Sequence, residues 1–289
     1  MGLYRKGGAM NNLYTAPVYK MKDLNNLFIE MTAKNCNKRC ANCYIDFPMS
    51  KSIKDFISID IIKNALSDLQ NQNLQCIYFT GAEPMMHPDF NAILRLCLKK
   101  TNVCICTNGS FLNEKKIRFL KKVEEEGMMQ NFCNQIFFKL TLAHYEEHEN
   151  DKKRYRGNYR ETVFALKTLS NYGFTTVINV LNYYNIPYDL IKKNFEILFS
   201  EANIQNVDLQ ISYPHPSFNE ENYIKEAADT DCMHGRILTG NGIYACPFLA
   251  NDYRGRCGSN FKDFSRIVQA ETDYCATCSK NNAQIFAIG

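Results

Sequence analysis

No stretch of about 18 consecutive apolar residues occurs anywhere in the sequence, which excludes a bundle of membrane-spanning helices. Residues 1–12 lack the apolar core of a secretory signal, and Lys6 stands where a myristoylation motif has Ser or Thr, so a cytoplasmic protein is expected. Neither charge dominates. The 34 Lys and Arg are dispersed among 30 Asp and Glu for a net +4, which argues against a dedicated nucleic-acid surface or a polybasic membrane patch. No G-x-G-x-x-G follows an apolar run, which counts against a dinucleotide-binding sheet. What remains, with 45% apolar and 22% charged residues over 289 positions, is a globular chain long enough for one large domain or one domain with a small appendage.

The chain does have cysteine, 13 in all. In a reducing cytosol thiols stay free, and an odd number cannot pair completely, so the cysteines read as metal ligands plus small core residues. Around them the hydrophobic pattern alternates between two periods. NLFIEMT at 26–32 reads as a strand; Ser58 then caps a helix with Ile61, Ile62, Ala65, Leu66 and Leu69 at helical spacing, and 75–80 alternates as a second strand. The unit repeats with helices over 88–100, 113–125, 159–172 and 188–200 and strands over 102–107, 135–142, 174–181 and 206–213. Strict alternation of strand and helix predicts a parallel sheet covered by helices. Six units are two short of a closed eight-stranded barrel, so the expected fold is a partial, open (β/α)6 TIM-like barrel over 1–213. Beyond it, 214–289 turns rich in Gly, Asn and Cys and reads as a small cysteine-rich C-terminal cap.

Three cysteines, Cys36, Cys40 and Cys43, lie directly after the first strand in a C-x3-C-x2-C spacing. Three thiolates on one loop can converge on zinc with a fourth position open, or on a 4Fe-4S cluster with one iron free of protein ligands. The second strand ends in TGAEP, Thr80 to Pro84, and the third in Thr107, Asn108 and Gly109, so all three groups share the rim where barrel active sites converge. Asn-Gly is also a plain turn signal. The cysteine spacing, with the aromatic Tyr44 beside its last member, resembles the signature of the radical SAM superfamily, and TGAEP resembles that family's Gly-Gly-Glu-Pro motif with Ala82 for the second Gly. The resemblance implies that a 4Fe-4S cluster on the three cysteines chelates S-adenosylmethionine and that an electron from it releases a 5'-deoxyadenosyl radical, which abstracts a substrate hydrogen. It further implies Tyr44 beside the adenine, Gly81, Ala82, Glu83 and Pro84 around the methionyl amino group, Thr107 and Asn108 on the same rim, and Thr141 as a ribose contact. A reducing donor such as flavodoxin or ferredoxin is implied as a partner.

Toward the C-terminus, Cys232 and Cys246 precede the pair Cys275-Ala-Thr-Cys278, with the turn residues Gly240, Asn241 and Gly242 between the first two. Four thiolates enclose either zinc or an iron-sulfur cluster completely. The segment resembles the shortened SPASM, or twitch, domain behind many radical SAM barrels, which implies a second, auxiliary 4Fe-4S cluster on Cys232, Cys246, Cys275 and Cys278, with Cys257 outside the set. Cys76, Cys97, Cys104, Cys106 and Cys133 read as small core residues.

A competing motif is His144-Tyr-Glu-Glu147-His148, which fits the H-x-x-E-H pattern of zinc peptidases. It follows a strand end instead of sitting inside a long amphipathic helix. Three functions stay open: radical oxidation or rearrangement of a small hydroxyl-rich metabolite, radical modification of a peptide or protein, and a non-catalytic metal-bound or electron-transfer protein. Only 35 residues precede Cys36, short for the leader-binding domain often fused to peptide maturases, so the metabolite is the expected substrate. If the reaction is a dehydrogenation a base is needed near the rim, and His144 and His215 are the candidates because imidazole titrates near neutrality.

Overall fold

The computed structural model describes residues 18–21, 23–41, 43, 54–212, 230–231 and 235–269. The alternation read in the sequence is present in it. Strand β1 (Val18–Lys20) leads to β2 (Asn26–Thr32), and Ser58 then opens α1 (Ile59–Asp68), its side chain accepting the Asp60 N–H at 3.2 Å, a cap worth about 1 kcal/mol. There follow β3 (Cys76–Gly81), α2 (Phe90–Leu98), β4 (Asn102–Cys106), α3 (Glu114–Met129) and β5 (Ile136–Leu142). Next come α4 (Glu147–Lys153), α5 (Asn158–Asn171), β6 (Thr176–Leu181), α6 (Tyr188–Glu201) and β7 (Val207–Ser212). No helix among the described residues is long and apolar enough to cross a membrane.

Strands β2 to β7 pair in parallel and in chain order, which makes the six-stranded partial barrel that the pattern predicts. Successive side chains on each strand point to opposite faces. Ile77, Phe79, Val103, Ile105, Phe138 and Leu140 fill the helix-covered face, where Phe79 meets Phe90 of α2 edge-on at 6.0 Å. Each such side chain contributes roughly 1.5–3 kcal/mol by leaving water, so this layer holds the helices on the sheet. The other face carries Tyr78, Cys104, Cys106, Lys139, Thr141, Asn179 and Ser212, a far more polar row.

The sheet does not stop at β2. Strand β8 (Thr230–Asp231) pairs with β1, whereas β9 (Arg236–Thr239) lies parallel to β2 on the side away from β3. Strand β10 (Gly242–Tyr244) turns back antiparallel to β9 through Gly240 and Asn241, the two-residue hairpin expected from those residues. Strand β11 (Arg256–Gly258) adds to β10, and β12 (Ile267–Gln269) pairs with β1. Among the described residues the main sheet therefore has nine strands, and β2, which feeds the cysteine loop, is an interior strand.

Candidate functional site

The rim is built by strand ends that hold one another. Pairing of β2 with β3 shifts register between Glu30 and Thr32, so that Gly81 comes opposite Thr32. Gly81 has φ +106, and a Cβ there would run into the Thr32 carbonyl oxygen, so only glycine fits. The chain then runs along the β2 loop: Ala82 N–H donates to Thr32 O at 2.7 Å and Glu83 N–H to Asn35 O at 3.0 Å.

Glu83 is fully buried, and three donors meet its carboxyl. Thr107 Oγ1 donates to Oε1 at 2.7 Å, Met85 N–H to Oε1 at 3.1 Å and Asn108 N–H to Oε2 at 2.9 Å. Burial pushes its pKa up to about 6, against the pull of those three donors. One carboxyl thus ties the end of β3 to the end of β4, and Oε2 keeps room for a second donor.

The cysteine loop is gripped from two sides. On one, Asn108 Nδ2 reaches Cys36 Sγ at 3.7 Å and Asn37 Oδ1 at 3.0 Å. On the other, Lys38 Nζ pairs with Glu161 of α5 at 2.7 Å and lies over the Tyr155 ring, and Ala41 N–H donates to Arg154 O at 3.2 Å. Cys36, Cys40 and Cys43 are half-buried. Burial raises the Cys36 thiol above its usual range, the Lys38 N–H lowers it, and the charges of Glu83, Cys40 and Cys43 raise it again. Among the described residues no three His, Cys, Asp or Glu side chains stand close enough to hold a metal ion. The donor set, three thiols on one rim loop with N–H groups already aimed at one sulfur, fits a thiolate-bound cluster.

Thr141 is buried on the polar face of β5, opposite Asn179 of β6. The sequence reading missed Asn179, Lys139 and Gln210. Lys139 Nζ crosses β6 to reach Gln210 Oε1 of β7 at 2.9 Å, and burial lowers its pKa. Asn179 Oδ1 accepts from Ser212 Oγ at 2.8 Å, whereas its Nδ2, fully buried, has no partner among the described residues. A lysine inside IFFKLTL and an asparagine inside TVINVL, each at an alternate position of an otherwise apolar strand, were the available signal.

His144 is buried just beyond β5, its ring tilted 32° against that of Tyr145 with centroids 4.1 Å apart, and its Nδ1 accepts the Glu146 N–H at 3.0 Å. Burial lowers its pKa, with Glu146 and Glu149 opposing. Helix α4 begins only at Glu147, so His144 and His148 do not share a helix face; His148 is exposed and Glu147 pairs with Arg160 at 2.7 Å. The peptidase geometry of H-x-x-E-H is absent from these described residues. Cys97, Cys104 and Cys106 are core residues as expected, Cys76 is half-buried, and Cys133 corrects the expectation by being exposed between α3 and β5, where no strand or helix covers it. Cys246 and Cys257 are both buried. Tyr44, His215, Cys232, Cys275 and Cys278 lie outside the described residues.

A family model for the radical SAM superfamily matches residues 32–198. The subtilosin biosynthesis protein AlbA of Bacillus subtilis, a protein of antilisterial bacteriocin synthesis, is 27% identical over 139 residues, 48% of this chain and 29% of its own. Among solved structures, Streptococcus suis SuiB bound to its precursor peptide SuiA aligns over 86% of this chain and 64% of that one, with TM-score 0.61 and 12% identity. The anSMEcpe structure with bound AdoMet aligns over 83% and 78%, with TM-score 0.59 and 14% identity. The chain thus spans under a third of AlbA's length and just under two thirds of SuiB's.

Proposed function

The chain belongs to the radical SAM superfamily, and we propose that it is a radical SAM enzyme that modifies a peptide. The likeness to AlbA carries this reading, and the fold shared with SuiB supports it. The small hydroxyl-rich metabolite expected from the sequence gives way to it. In the family a 4Fe-4S cluster and S-adenosylmethionine together supply the radical that takes a hydrogen atom from the substrate.

The roles of this chain's residues follow from the rim. Cys36, Cys40 and Cys43 hold the cluster. Gly81, Ala82 and Pro84 carry the backbone past β2, and Glu83 Oε2, fixed from below, has a lone pair left for an ammonium. Thr141 and the open amide of Asn179 face one another across two strands and suit a hydroxyl-bearing ligand such as a ribose. Tyr44 belongs beside the adenine, and His144 or His215 takes any proton the substrate releases. A cytoplasmic setting with a flavodoxin- or ferredoxin-like donor completes the reading.

The region 214–289 is proposed to form a twitch-like domain in which Cys232, Cys246, Cys275 and Cys278 bind a second 4Fe-4S cluster. Anaerobically reconstituted protein is then expected to hold about eight irons, with Cys36→Ala and Cys278→Ala each removing about half. Stoichiometric zinc beside one cluster would replace the second cluster by a structural metal site.

The substrate is tested by turnover. Under strong reduction, short peptides encoded beside the gene are expected to stimulate 5'-deoxyadenosine formation and to change mass. Stimulation by aminocyclitols or sugars, with peptides inert, would return the assignment to metabolite chemistry.

A further inference from the structure

The rim contains a closed ring of side-chain hydrogen bonds whose direction is fixed. Asn108 Oδ1 accepts the Ser110 backbone N–H at 3.0 Å and the Ser110 hydroxyl at 2.6 Å. A backbone N–H only donates, so the oxygen of this amide faces Ser110 and its nitrogen faces the other way. The Ser110 hydroxyl, having given its proton to Asn108, accepts from Asn37 Nδ2 at 2.8 Å, and Asn37 Oδ1 accepts from Asn108 Nδ2 at 3.0 Å. One of the two Asn108 amide hydrogens is used there. The other is left for Cys36 Sγ at 3.7 Å, within reach of a hydrogen bond to sulfur.

We infer that Asn108 tunes the reduction potential of the cluster held by Cys36, by donating its side-chain N–H to that sulfur. The inference rests on the radical SAM reading of the three thiolates. Reduction adds electron density to the iron and its sulfur ligands, and an N–H directed at a thiolate sulfur stabilises that added charge, so it raises the potential. Asn108 is buried, which strengthens the effect by keeping water from competing. Cys36 receives a second N–H, from the Lys38 backbone at 3.4 Å, but that donor comes with the loop and no side-chain substitution removes it. Asn108 is the adjustable one. Its own backbone N–H is anchored on Glu83 Oε2 at 2.9 Å, so the side chain projects from a point fixed to β3 and its aim at the sulfur does not depend on the loop alone.

A clamp that merely held the cysteine loop would use the same ring, and the two roles separate by comparing variants. Asn37→Ala opens the ring and leaves the Asn108 donor in place. Asn108→Ala removes the donor. Asn108→Asp keeps the size and the acceptor for Ser110 but turns a carboxylate oxygen toward the sulfur. Redox titration of the reconstituted holoenzymes, followed by the paramagnetic signal of the reduced cluster, is expected to give a lower potential in Asn108→Ala and a lower one still in Asn108→Asp. Asn37→Ala should stay near the wild type. Equal potentials in all four proteins overturn the inference, as does an Asn37→Ala shift as large as that of Asn108→Ala. Loss of the cluster from both Asn108 variants assigns the residue to a structural clamp and also overturns it. A wild-type protein that binds no cluster through Cys36 would remove the radical SAM reading itself, and the tuning with it.

Discussion

Cys40→Ala protein is expected to fold as the wild type does and to form no 5'-deoxyadenosine above background. Cys40 is a half-buried loop residue with no core packing, so its loss should change stability by no more than about 0.5 kcal/mol. The grip on the loop through Asn37, Lys38 and Ala41 does not involve its thiol. What goes is one of three ligands, and two thiolates with nothing to complete the shell do not retain a cluster against solution chelators. Melting of the metal-free variant and iron analysis after reconstitution check the two halves separately. A variant with wild-type iron content and turnover would mean that these cysteines are not the ligand set.

Glu83→Ala should fail in a different way, by loosening the rim before any cofactor is bound. The substitution strands Thr107 Oγ1, Met85 N–H and Asn108 N–H in a buried place, at about 1–3 kcal/mol for each donor left unpaired. Against this stands the relief of a buried charge: a carboxyl raised from 4.5 to about 6 costs roughly 2 kcal/mol once ionised. Unpaired donors win, and a net loss of about 2–5 kcal/mol is expected from denaturant melts near neutral pH. The pH dependence has a definite sign. Because the folded pKa lies above the unfolded one, the contribution of protonated Glu83 is full below pH 4.5 and is lost as pH rises through about 6. The stability gap between wild type and variant should therefore narrow by roughly 2 kcal/mol over that interval. A gap that is constant with pH would show that burial does not raise the Glu83 carboxyl, and a variant as stable as the wild type would show that the three donors find other partners.

Much of the barrel was legible because its elements are apolar at regular intervals, and the strand ends followed from that. The failures share a cause. Helix α4, with the sequence EHENDKK, has no apolar stripe, so the hydrophobic pattern predicts no helix there. Its inner side is polar: Asn150, fully buried, accepts the Ala143 N–H at 2.8 Å and donates to Asn158 Oδ1 at 2.9 Å. A helix seated by one buried amide leaves no hydrophobic period to find. Strand β9 was placed in the cap region and its partner was not foreseen, because pairing between residues near 28 and 237 has no local signature. At the site, motif spacing located Glu83 and Asn108 but not what their polar atoms do, which depends on three strand ends meeting.

The interior position of β2 has a consequence for how the chain is made. Among the described residues its far edge is paired by β9, roughly 200 residues further along. At about 5–20 residues per second of synthesis, that edge stays open for roughly 10–40 s after β2 has left the ribosome. An unpaired strand of NLFIEMT is a template for adhesion to other nascent chains, and among the described residues nothing synthesised earlier than β9 closes that edge. Substitutions that weaken the hairpin of β9 and β10 are therefore expected to lower soluble yield at high temperature more than equally destabilising ones in the barrel helices, as measured by the soluble fraction on expression.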